Sequence, residues 1–352
     1  MSAPPDTDVV VVGGGPVGLA CAVGAARAGL SVVVVEPRRL PADKACGEGL
    51  MPATVDALAR LDVDLRPGVD GVPLRGIRYL SPGAVATADF SRGPGLGVRR
   101  TVLARALVAR AEAVGVRVLR TRAGPVEQDG ASVRVAGVRA RWCLAADGLH
   151  SPTRRALGLD AATPLRPSRP ARYGLRRHVR CAPWSPWVDV LWARDVEAYV
   201  TPVAPDLVGV AVLSTARRSF DEHVACLPGL AARLAGRATA SRVQGAGPLR
   251  QRARARRAGR VLLVGDAAGY VDALTGEGLR IGLAAAEAAV ACVAGDDAAG
   301  YERAVARLER RPRLLTETLL AATSVPGLRR ALVPAASRLP RVFGGAVDAL
   351  AG

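Results

Sequence analysis

Lysine is almost absent from this chain of 352 residues, although the chain is strongly basic. Of its 49 lysine and arginine residues, 48 are arginine and one, Lys44, is lysine. Histidine is scarce as well, with three widely separated residues, and aromatic residues account for 3% of the chain. A metal site is therefore not expected, because neither the histidines nor the cysteines have the spacing of a ligand set.

The six cysteines argue against a disulfide framework. They show no Cys-x-x-Cys spacing and lie mostly inside apolar runs, at positions 21, 46, 143, 181, 226 and 292. Scattered cysteines of this kind are typical of reduced thiols in the cytoplasm. No apolar run reaches the roughly 18 residues that a membrane-spanning helix needs, and the first strand begins too early to leave room for a signal peptide. We therefore expect a cytoplasmic protein without a transmembrane segment.

The net charge of +18 raises the question of an anionic partner. The arginines are spread over every segment, however, and the aromatic platforms on which single-stranded nucleic acids stack are lacking. No nucleic-acid partner is therefore expected. The densest basic cluster, residues 250–260, is interpreted either as a solvated connector or as a surface that attracts NAD(P)H, an acidic carrier protein or an anionic membrane.

The most informative motif is a glycine-rich turn near the N-terminus. It consists of Gly13, Gly14, Gly15, Pro16, Val17 and Gly18. A β-branched run precedes it and a small-residue, helix-prone run follows it, so the segment is predicted to form a strand, a tight turn and a helix. Gly13 permits the turn, Gly15 lets the backbone approach a diphosphate, and Gly18 allows the helix to pack closely on the strand.

A second apolar strand is predicted over residues 31–35, and it ends at Glu36. A carboxylate at this position can accept hydrogen bonds from both ribose hydroxyls of a dinucleotide and would repel a 2′-phosphate. The two strands, the turn and Glu36 together predict a dinucleotide site. They do not distinguish NAD from FAD.

Two later segments carry a resemblance to a known family. Residues 142–154, reading WCLAADGLHSPTR, and residues 261–269, reading VLLVGDAAG, are similar to motifs of the FAD-dependent aromatic hydroxylases (group A monooxygenases) and of the geranylgeranyl-reductase-like flavoproteins. The resemblance covers nearly the whole chain and implies that the dinucleotide is FAD. It places Gly265 and Asp266 beside the ribityl chain of FAD.

The same resemblance assigns further residues to the cofactor. Asp147 and Gly148 fall on the positions near the flavin diphosphate, and transient binding of NAD(P)H as electron donor is implied near Asp147 and Arg154. Arg100, with Arg99 beside it, falls on an arginine that touches the FAD phosphates.

A further glycine-rich segment precedes a helix predicted over residues 281–294. Its matching positions are Gly276, Glu277, Gly278 and Leu279. In the family, the first N–H groups of this helix lie near the pyrimidine edge of the flavin, where they stabilise the negative charge of its reduced form.

The one lysine lies in the segment KACGEGLMP, residues 44–52, which resembles the Lys-x-Cys-Gly loop of the reductase-like branch. In that branch the loop passes close to the isoalloxazine ring and the cysteine faces it. The resemblance therefore implies that Lys44, Cys46 and Gly47 lie beside the flavin, with Cys46 and Lys44 as candidate catalytic residues. The Cys46 thiol either donates a proton or shapes the pocket, and the remaining alternative is that it only packs the loop.

The predicted fold class is α/β: a Rossmann-type FAD-binding domain with an inserted antiparallel β-sheet domain for the substrate and a short C-terminal helical tail. The FAD-binding domain is predicted to be discontinuous, over residues 1–70, 97–160 and 250–310, with the substrate domain at 71–96 and 161–249 and C-terminal helices at 311–352. Prolines at 312, 326, 334 and 340 predict short amphipathic helices in the tail, which cover the domain junction or rest on anionic lipid.

The substrate side is less well defined by sequence. Strand-like runs occur at residues 188–192, 197–203 and 207–214, and they predict an antiparallel sheet that covers the pocket. We expect the residues bordering a small lipophilic substrate to include Tyr199, Pro202 and Trp192.

The resemblance implies an NAD(P)H-dependent monooxygenase that hydroxylates or epoxidises a lipophilic aromatic or polyketide-like molecule through a flavin C4a-hydroperoxide. The Lys44–Pro52 loop favours an alternative, a flavin reductase of isoprenoid double bonds. A third alternative is a flavin-binding accessory protein without turnover. Flavin-dependent halogenases of related fold use a Trp-x-Trp-x-Ile-Pro motif and a distant lysine, and neither is found here.

Overall fold

The structure, a computed structural model, describes residues 5–161 and 170–351. The helices are α1 (Pro16–Arg27), α2 (Pro52–Arg60), α3 (Arg100–Ala113), α4 (Pro152–Ala156), α5 (Phe220–Ala225), α6 (Pro228–Leu234), α7 (Gly278–Ala294), α8 (Ala298–Ser324), α9 (Pro326–Arg338) and α10 (Pro340–Ala351).

The strands are β1 (Thr7–Val12), β2 (Val32–Val35), β3 (Gly49–Leu50), β4 (Val72–Leu74), β5 (Gly76–Ser81), β6 (Ala84–Asp89), β7 (Gly95–Gly97), β8 (Arg117–Leu119), β9 (Glu127–Gln128), β10 (Val133–Val135), β11 (Val138–Ala145), β12 (Tyr173–Arg180), β13 (Trp187–Trp192), β14 (Val196–Ala204), β15 (Leu207–Ser214), β16 (Gln244–Ala246), β17 (Gln251–Arg252), β18 (Arg257–Ala258), β19 (Val261–Leu263) and β20 (Gly269–Tyr270).

The larger sheet has the strand order β18-β19-β11-β1-β2-β8, with β10 and β9 attached at β11. Its central strands β1, β2, β8, β11 and β19 are parallel. The valines of β1 and β2 are buried, as expected for parallel strands that are covered on both faces. The carboxyl ends of β1, β2, β11 and β19 therefore meet at one edge, which is where an α/β sheet places its ligand.

The second sheet has the order β16-β12-β15-β14-β13-β5-β6. Its neighbouring strands are antiparallel, except that β13 and β5 run parallel. Two further small sheets have the orders β3-β7-β4 and β17-β20. The observed architecture confirms the predicted fold class, a Rossmann-type domain with a largely antiparallel sheet and a C-terminal helical region.

The prolines interrupt the C-terminal helices less than the sequence predicts. Pro312 lies inside α8 and Pro334 inside α9, so neither proline ends its helix. A proline removes one N–H donor from a helix, and tertiary packing can offset that loss. In α8, Pro312 is itself buried, and its carbonyl oxygen accepts a hydrogen bond from the buried hydroxyl of Thr316 (2.9 Å).

Helices α9 and α10 cover one face of the second sheet. The ring of Phe343 lies 4.9 Å from the ring of Tyr79, which in turn lies 5.8 Å from the ring of Trp192. Arg329 of α9 donates hydrogen bonds to the carbonyl oxygens of Ala193 (2.7 Å) and Val196 (3.1 Å). The tail is thus joined to the second sheet by both apolar and polar contacts.

We predict that Phe343→Ala lowers the free energy of unfolding by about 3 kcal/mol, because it removes a buried ring from this core. Val342→Ala is the matched control, since Val342 is 67% exposed and its truncation should cost less than about 0.5 kcal/mol. Urea denaturation of both variants measures the difference. Equal stabilities would show that α10 does not pack on the sheet.

Candidate flavin site

The glycine-rich turn has space for a side chain at one of its glycines and none at two others. Gly13 has a φ of +102°, and a Cβ there would lie 2.5 Å from the carbonyl oxygen of Ala146. A Cβ at Gly18 would lie 1.9 Å from the carbonyl oxygen of Gly13. Around the Cβ position of Gly15, by contrast, no described heavy atom lies within 4 Å. The turn is therefore closed where helix meets strand and open where a phosphate can approach, at the N-terminus of α1.

Glu36 follows β2 and is fully buried. Its carboxylate accepts a hydrogen bond from the backbone N–H of Gly14 (2.8 Å) and a bidentate pair from the Arg38 guanidinium. Burial acts against the charged form, but the hydrogen bonds from Arg38 and Gly14 outweigh it and lower the pKa of Glu36. The half-exposed Arg38 has to move before both carboxylate oxygens can accept from ribose hydroxyls.

Three cations share the cleft at this edge of the sheet: Arg38, Lys44 and Arg100. Desolvation in the cleft lowers the pKa of Lys44, and the positive charges of Arg38 and Arg100 lower it further, although the side chain still contacts solvent. Burial likewise lowers the pKa of Arg100. One terminal nitrogen of Arg100 is buried without a hydrogen-bond partner among the described residues. Such a cluster favours an anionic ligand.

Two carboxylates flank these cations. Burial raises the pKa of Asp266 to about 6, although the charges of Lys44 and Arg100 act in the opposite direction. Asp147 accepts a hydrogen bond from the backbone N–H of Thr153 (2.9 Å) through one oxygen. Its other oxygen is buried and finds no partner within the described part of the chain. Both carboxylates can therefore accept hydrogen bonds from ligand hydroxyls.

Gly148 also lies in this cleft, where the Nζ atom of Lys44 is 3.6 Å from its Cβ position. Arg154, in contrast, is fully buried. It donates to the carboxylate of Asp160 (2.6 Å) and to the carbonyl oxygens of Ala267 (3.0 Å) and Leu149 (3.2 Å). Arg154 therefore supports the backbone behind the site, and its guanidinium is already bound to protein groups.

The loop that contains Cys46 and Gly47 runs between the two sheets. The Cys46 sulfur accepts a hydrogen bond from the backbone N–H of Glu48 (3.4 Å), and the hydroxyl of Thr201 donates to the carbonyl oxygen of Gly47 (2.8 Å). Burial raises the pKa of the Cys46 thiol. It also raises the pKa of the Tyr270 phenol, whose environment includes Asp266 and Cys46. The loop therefore presents a neutral thiol next to the carboxylate segment.

Helix α7 begins beside this loop. Glu277 precedes its first residue, Gly278, and the Cβ position of Gly276 lies 3.5 Å from the terminal methyl of Met51. Burial raises the pKa of Glu277, whose carboxylate pairs with Arg280 through one oxygen. Leu279 packs at the edge of the core of the larger sheet. The first N–H groups of a helix have no partner within it, so the start of α7 offers donors to a ligand.

The three predicted substrate-pocket residues lie at different places. The Tyr199 hydroxyl donates to the carbonyl oxygen of Leu274 (3.0 Å), just before the α7 segment. Pro202 is buried, and its carbonyl oxygen lies 1.8 Å from the Cβ position of Gly97. Trp192 packs in the core that α9 and α10 cover. Tyr199 is therefore nearest to the cofactor segments, and Trp192 lies towards the tail.

A buried charged cluster next to Tyr199 was not found from the sequence. Arg172 pairs with Glu197 (3.0 Å) and Asp272 (3.1 Å), and Arg329 of α9 approaches Glu197 at 3.4 Å. Burial raises the pKa of Asp272 to about 6, and the charge of Arg172 opposes the shift. The feature of the sequence that points to this cluster is the position of Asp272, just after the Gly265–Gly269 motif.

These observations fit FAD. An open glycine turn and three cations suit a diphosphate, Glu36 and Asp266 suit two sets of hydroxyls, and the unpaired atoms of Asp147 and Arg100 lie buried in the same region. Within the described residues there is no group of three or more potential metal ligands. Over the same residues, no helix combines the length and the apolar character needed to cross a membrane.

The fold, and the residues gathered at the carboxyl edge of its parallel sheet, are those expected of a flavoenzyme. Residues 6–294 match the family model described as FAD binding domain, so the chain belongs to that family and is an FAD-dependent oxidoreductase.

Known proteins similar to the chain have several activities. It is 30% identical to the protoasukamycin 4-monooxygenase of Streptomyces nodosus subsp. asukaensis, over 89% of this chain and 86% of that protein. It is 36% identical over 171 residues to a menaquinone reductase of Mycobacterium tuberculosis, covering 45% of this chain and about two fifths (41%) of the reductase. The structure of flavin-dependent brominase Bmp2 superimposes with a TM-score of 0.81 at 18% identity, over 98% of this chain and 93% of the brominase, which shows a shared fold.

The glycine turn provides a matched pair of variants. Gly15→Val, at the N-cap of α1, is predicted to lower the stability of the apoprotein by no more than about 1 kcal/mol but to weaken FAD binding at least about a hundredfold, because the side chain fills the open side of the turn. Gly18→Ala is predicted to destabilise the fold by about 1–3 kcal/mol through its clash with Gly13. Fluorescence titration measures the FAD affinity of both variants, and urea denaturation measures their stability. Normal FAD affinity in Gly15→Val would contradict the site.

Asp266 gives a prediction on pH. Its pKa in the folded protein, about 6, lies above its ordinary value of 3.8, so the folded apoprotein binds this proton more tightly than the unfolded chain does. The contribution to stability is therefore complete below about 3.8 and is lost as the pH rises through about 6. Asp266→Asn should reduce this decline in the free energy of unfolding, and Asp272 should maintain the remainder. An unchanged pH slope of the apoprotein would exclude the burial of Asp266.

Proposed function

We propose that the protein is an NAD(P)H-dependent FAD monooxygenase that hydroxylates or epoxidises a lipophilic aromatic or polyketide-like small molecule. The observation that carries the proposal is an apolar wall next to the cofactor segments. Its partly exposed members are Val188 and Tyr199, and the buried side chains of Met51, Leu74 and Leu274 pack behind them. An oxygenation site needs such a wall, because water must be excluded while an apolar substrate is held in place.

The wall is continuous with both the cysteine loop and the start of α7. The Cβ position of Gly49 lies 3.4 Å from a methyl of Val188 and 3.8 Å from a methyl of Leu74. On the other side, Met51 reaches the Cβ position of Gly276. A substrate that rests against these side chains would therefore lie beside the segments that fit the flavin.

The polar groups at this wall are neutral donors. Burial raises the pKa values of the Tyr199 and Tyr270 phenols well above 10, and it also raises that of the Cys46 thiol. FAD itself supplies the redox chemistry of this class, which is two-electron transfer and oxygen activation. The protein groups then have to bind, orient and shield, which is what neutral and apolar side chains do well.

Similarity to the protoasukamycin 4-monooxygenase supports the proposal, because it extends over most of both chains. Use of NAD(P)H is part of the same proposal. Arg154 is engaged with Asp160 and backbone carbonyls, and the cations of the cleft are assigned to the FAD diphosphate. We therefore expect the donor to be attracted by the exposed arginines of the basic surface cluster, at positions 252, 254 and 257.

A second function is favoured by the cysteine loop. A neutral thiol at Cys46 could deliver a proton to a double bond that receives hydride, which would make the protein a reductase of isoprenoid double bonds. The similarity to menaquinone reductases supports this alternative, although it extends over less than half of either chain.

Isotopically labelled dioxygen distinguishes the two functions. The monooxygenase is predicted to consume NAD(P)H and oxygen together and to place one labelled oxygen atom in a phenolic or polyene product, as seen by mass spectrometry. The Gly15→Val variant, which should lack FAD, is the negative control.

The reductase would instead saturate a polyene without oxygen, and its turnover should fall at least about tenfold in Cys46→Ser with the flavin spectrum unchanged. A product that contains two added hydrogens and no label, formed equally well under anaerobic conditions, would replace the monooxygenase proposal with this one.

A further inference from the structure

The side chain of Glu48, in the cysteine loop, reaches the second sheet and the start of α3 at the same time. Glu48 is 3% exposed and has a φ of +61°, a left-handed conformation that is uncommon outside glycine. One carboxylate oxygen accepts from the backbone N–H of Arg100 at 2.8 Å. The other lies 2.6 Å from Nε2 of His178 on β12. No role for this side chain follows from the flavin site described above.

The hydrogen bonds around His178 determine which of its nitrogens carries the proton. Nδ1 lies 3.1 Å from a terminal nitrogen of Arg176 and 3.0 Å from the hydroxyl of Ser241. A guanidinium has only N–H donors, so Nδ1 must be the acceptor in that contact. The ring proton is then on Nε2, and it is donated to Glu48. Both oxygens of Glu48 are thus acceptors that face donors.

Arg176 extends the cluster to the other end of the loop. This guanidinium is fully buried, donates to the carbonyl oxygen of Lys44 at 2.9 Å and pairs with the carboxylate of Asp43. Within the same loop, the backbone N–H of Glu48 donates to the sulfur of Cys46. Arg176 and His178, two residues apart on one face of β12, therefore hold the loop on both sides of Cys46.

The second sheet also leaves room for the Glu48 carboxylate. A Cβ at Gly209, on β15, would lie 2.8 Å from the carboxylate oxygen that meets His178, and the next nearest atom, in Val203, is 3.7 Å away. A glycine at this position is thus matched to a carboxylate that comes from another part of the chain.

We infer that Glu48 is a positioning residue for the flavin site: through His178 and the backbone N–H of Arg100 it fixes the Cys46 loop and the start of α3 relative to the second sheet. Loss of this contact would release Cys46 and displace Arg100, one of the three cations of the cleft. The inference depends on the FAD site but not on whether the protein is an oxygenase or a reductase.

Two variants test the inference in different ways. Glu48→Gln keeps the shape of the side chain, but its NH2 group then faces either the Nε2–H of His178 or the backbone N–H of Arg100, so that two donors meet. His178 cannot relieve this by changing its tautomer, because Arg176 occupies Nδ1. Gly209→Ala keeps every charge and instead displaces the carboxylate. The matched control is Asp221→Asn, which makes the same carboxylate-to-amide change at an exposed partner of Arg177, also on β12.

The first readout is the alkylation rate of Cys46 by iodoacetamide, resolved by peptide mass spectrometry in both apoprotein and holoprotein. We expect it to rise at least about tenfold in both variants and less than about twofold in the control. Cys21 and Cys143 are fully buried, so their continued protection shows that the fold is intact.

The second readout is the dissociation constant of FAD, which we expect to rise at least about tenfold in both variants. Unchanged Cys46 reactivity and FAD affinity in the folded variants would overturn the inference. So would the loss of Cys21 and Cys143 protection in both, because Glu48 would then stabilise the whole fold rather than the loop.

Discussion

Repulsion among the cations of the cleft is the constraint on which the flavin site depends. Arg38, Lys44 and Arg100 lie at the carboxyl edge of the larger sheet, and desolvation together with mutual repulsion lowers the pKa values of Lys44 and Arg100. Glu36 and Asp266 offset part of this charge. A diphosphate would offset the rest, so cofactor binding relieves an unfavourable arrangement that the apoprotein has to maintain.

The two sheets contribute differently to that arrangement. The parallel sheet supplies the turn, Glu36, Asp147 and Asp266 from the ends of adjacent strands, which fixes their relative positions through the backbone. The second sheet supplies an apolar wall and the buried side chains that hold the cysteine loop. The C-terminal helices take part in the second sheet's core, since Phe343 and Arg329 contact it directly. We therefore expect reactivity at the flavin to depend on how both sheets hold the cysteine loop.

Much of the fold could be predicted because its signals are local. The turn at Gly13 follows β1 directly and Glu36 follows β2 directly, so neighbouring residues determine both positions. The predicted strand at residues 207–214 is β15 with the same bounds. Pro312 was expected to begin the tail, but it lies within α8, because the burial of Pro312 in the folded protein overrides the local preference of proline.

The charged pairings could not be predicted. Glu48 and His178 are 130 positions apart, and their contact depends on how a loop meets a strand in three dimensions. With 48 arginines in the chain, composition gives no preference for Arg176 or Arg172 over any other. The same holds for Arg329, whose contact with Glu197 requires α9 to fold back on the second sheet. The assignments of residues to the cofactor and the substrate stay predictions, which ligand-binding measurements test.

The most direct measurement compares the binding of FAD and riboflavin to the apoprotein by fluorescence titration. If the cleft is built around a diphosphate, FAD should bind at least about a thousandfold more tightly than riboflavin, and the difference should shrink as the salt concentration rises. Equal affinities for the two flavins, independent of salt, would contradict the account, because the three cations would then have no part in holding the cofactor.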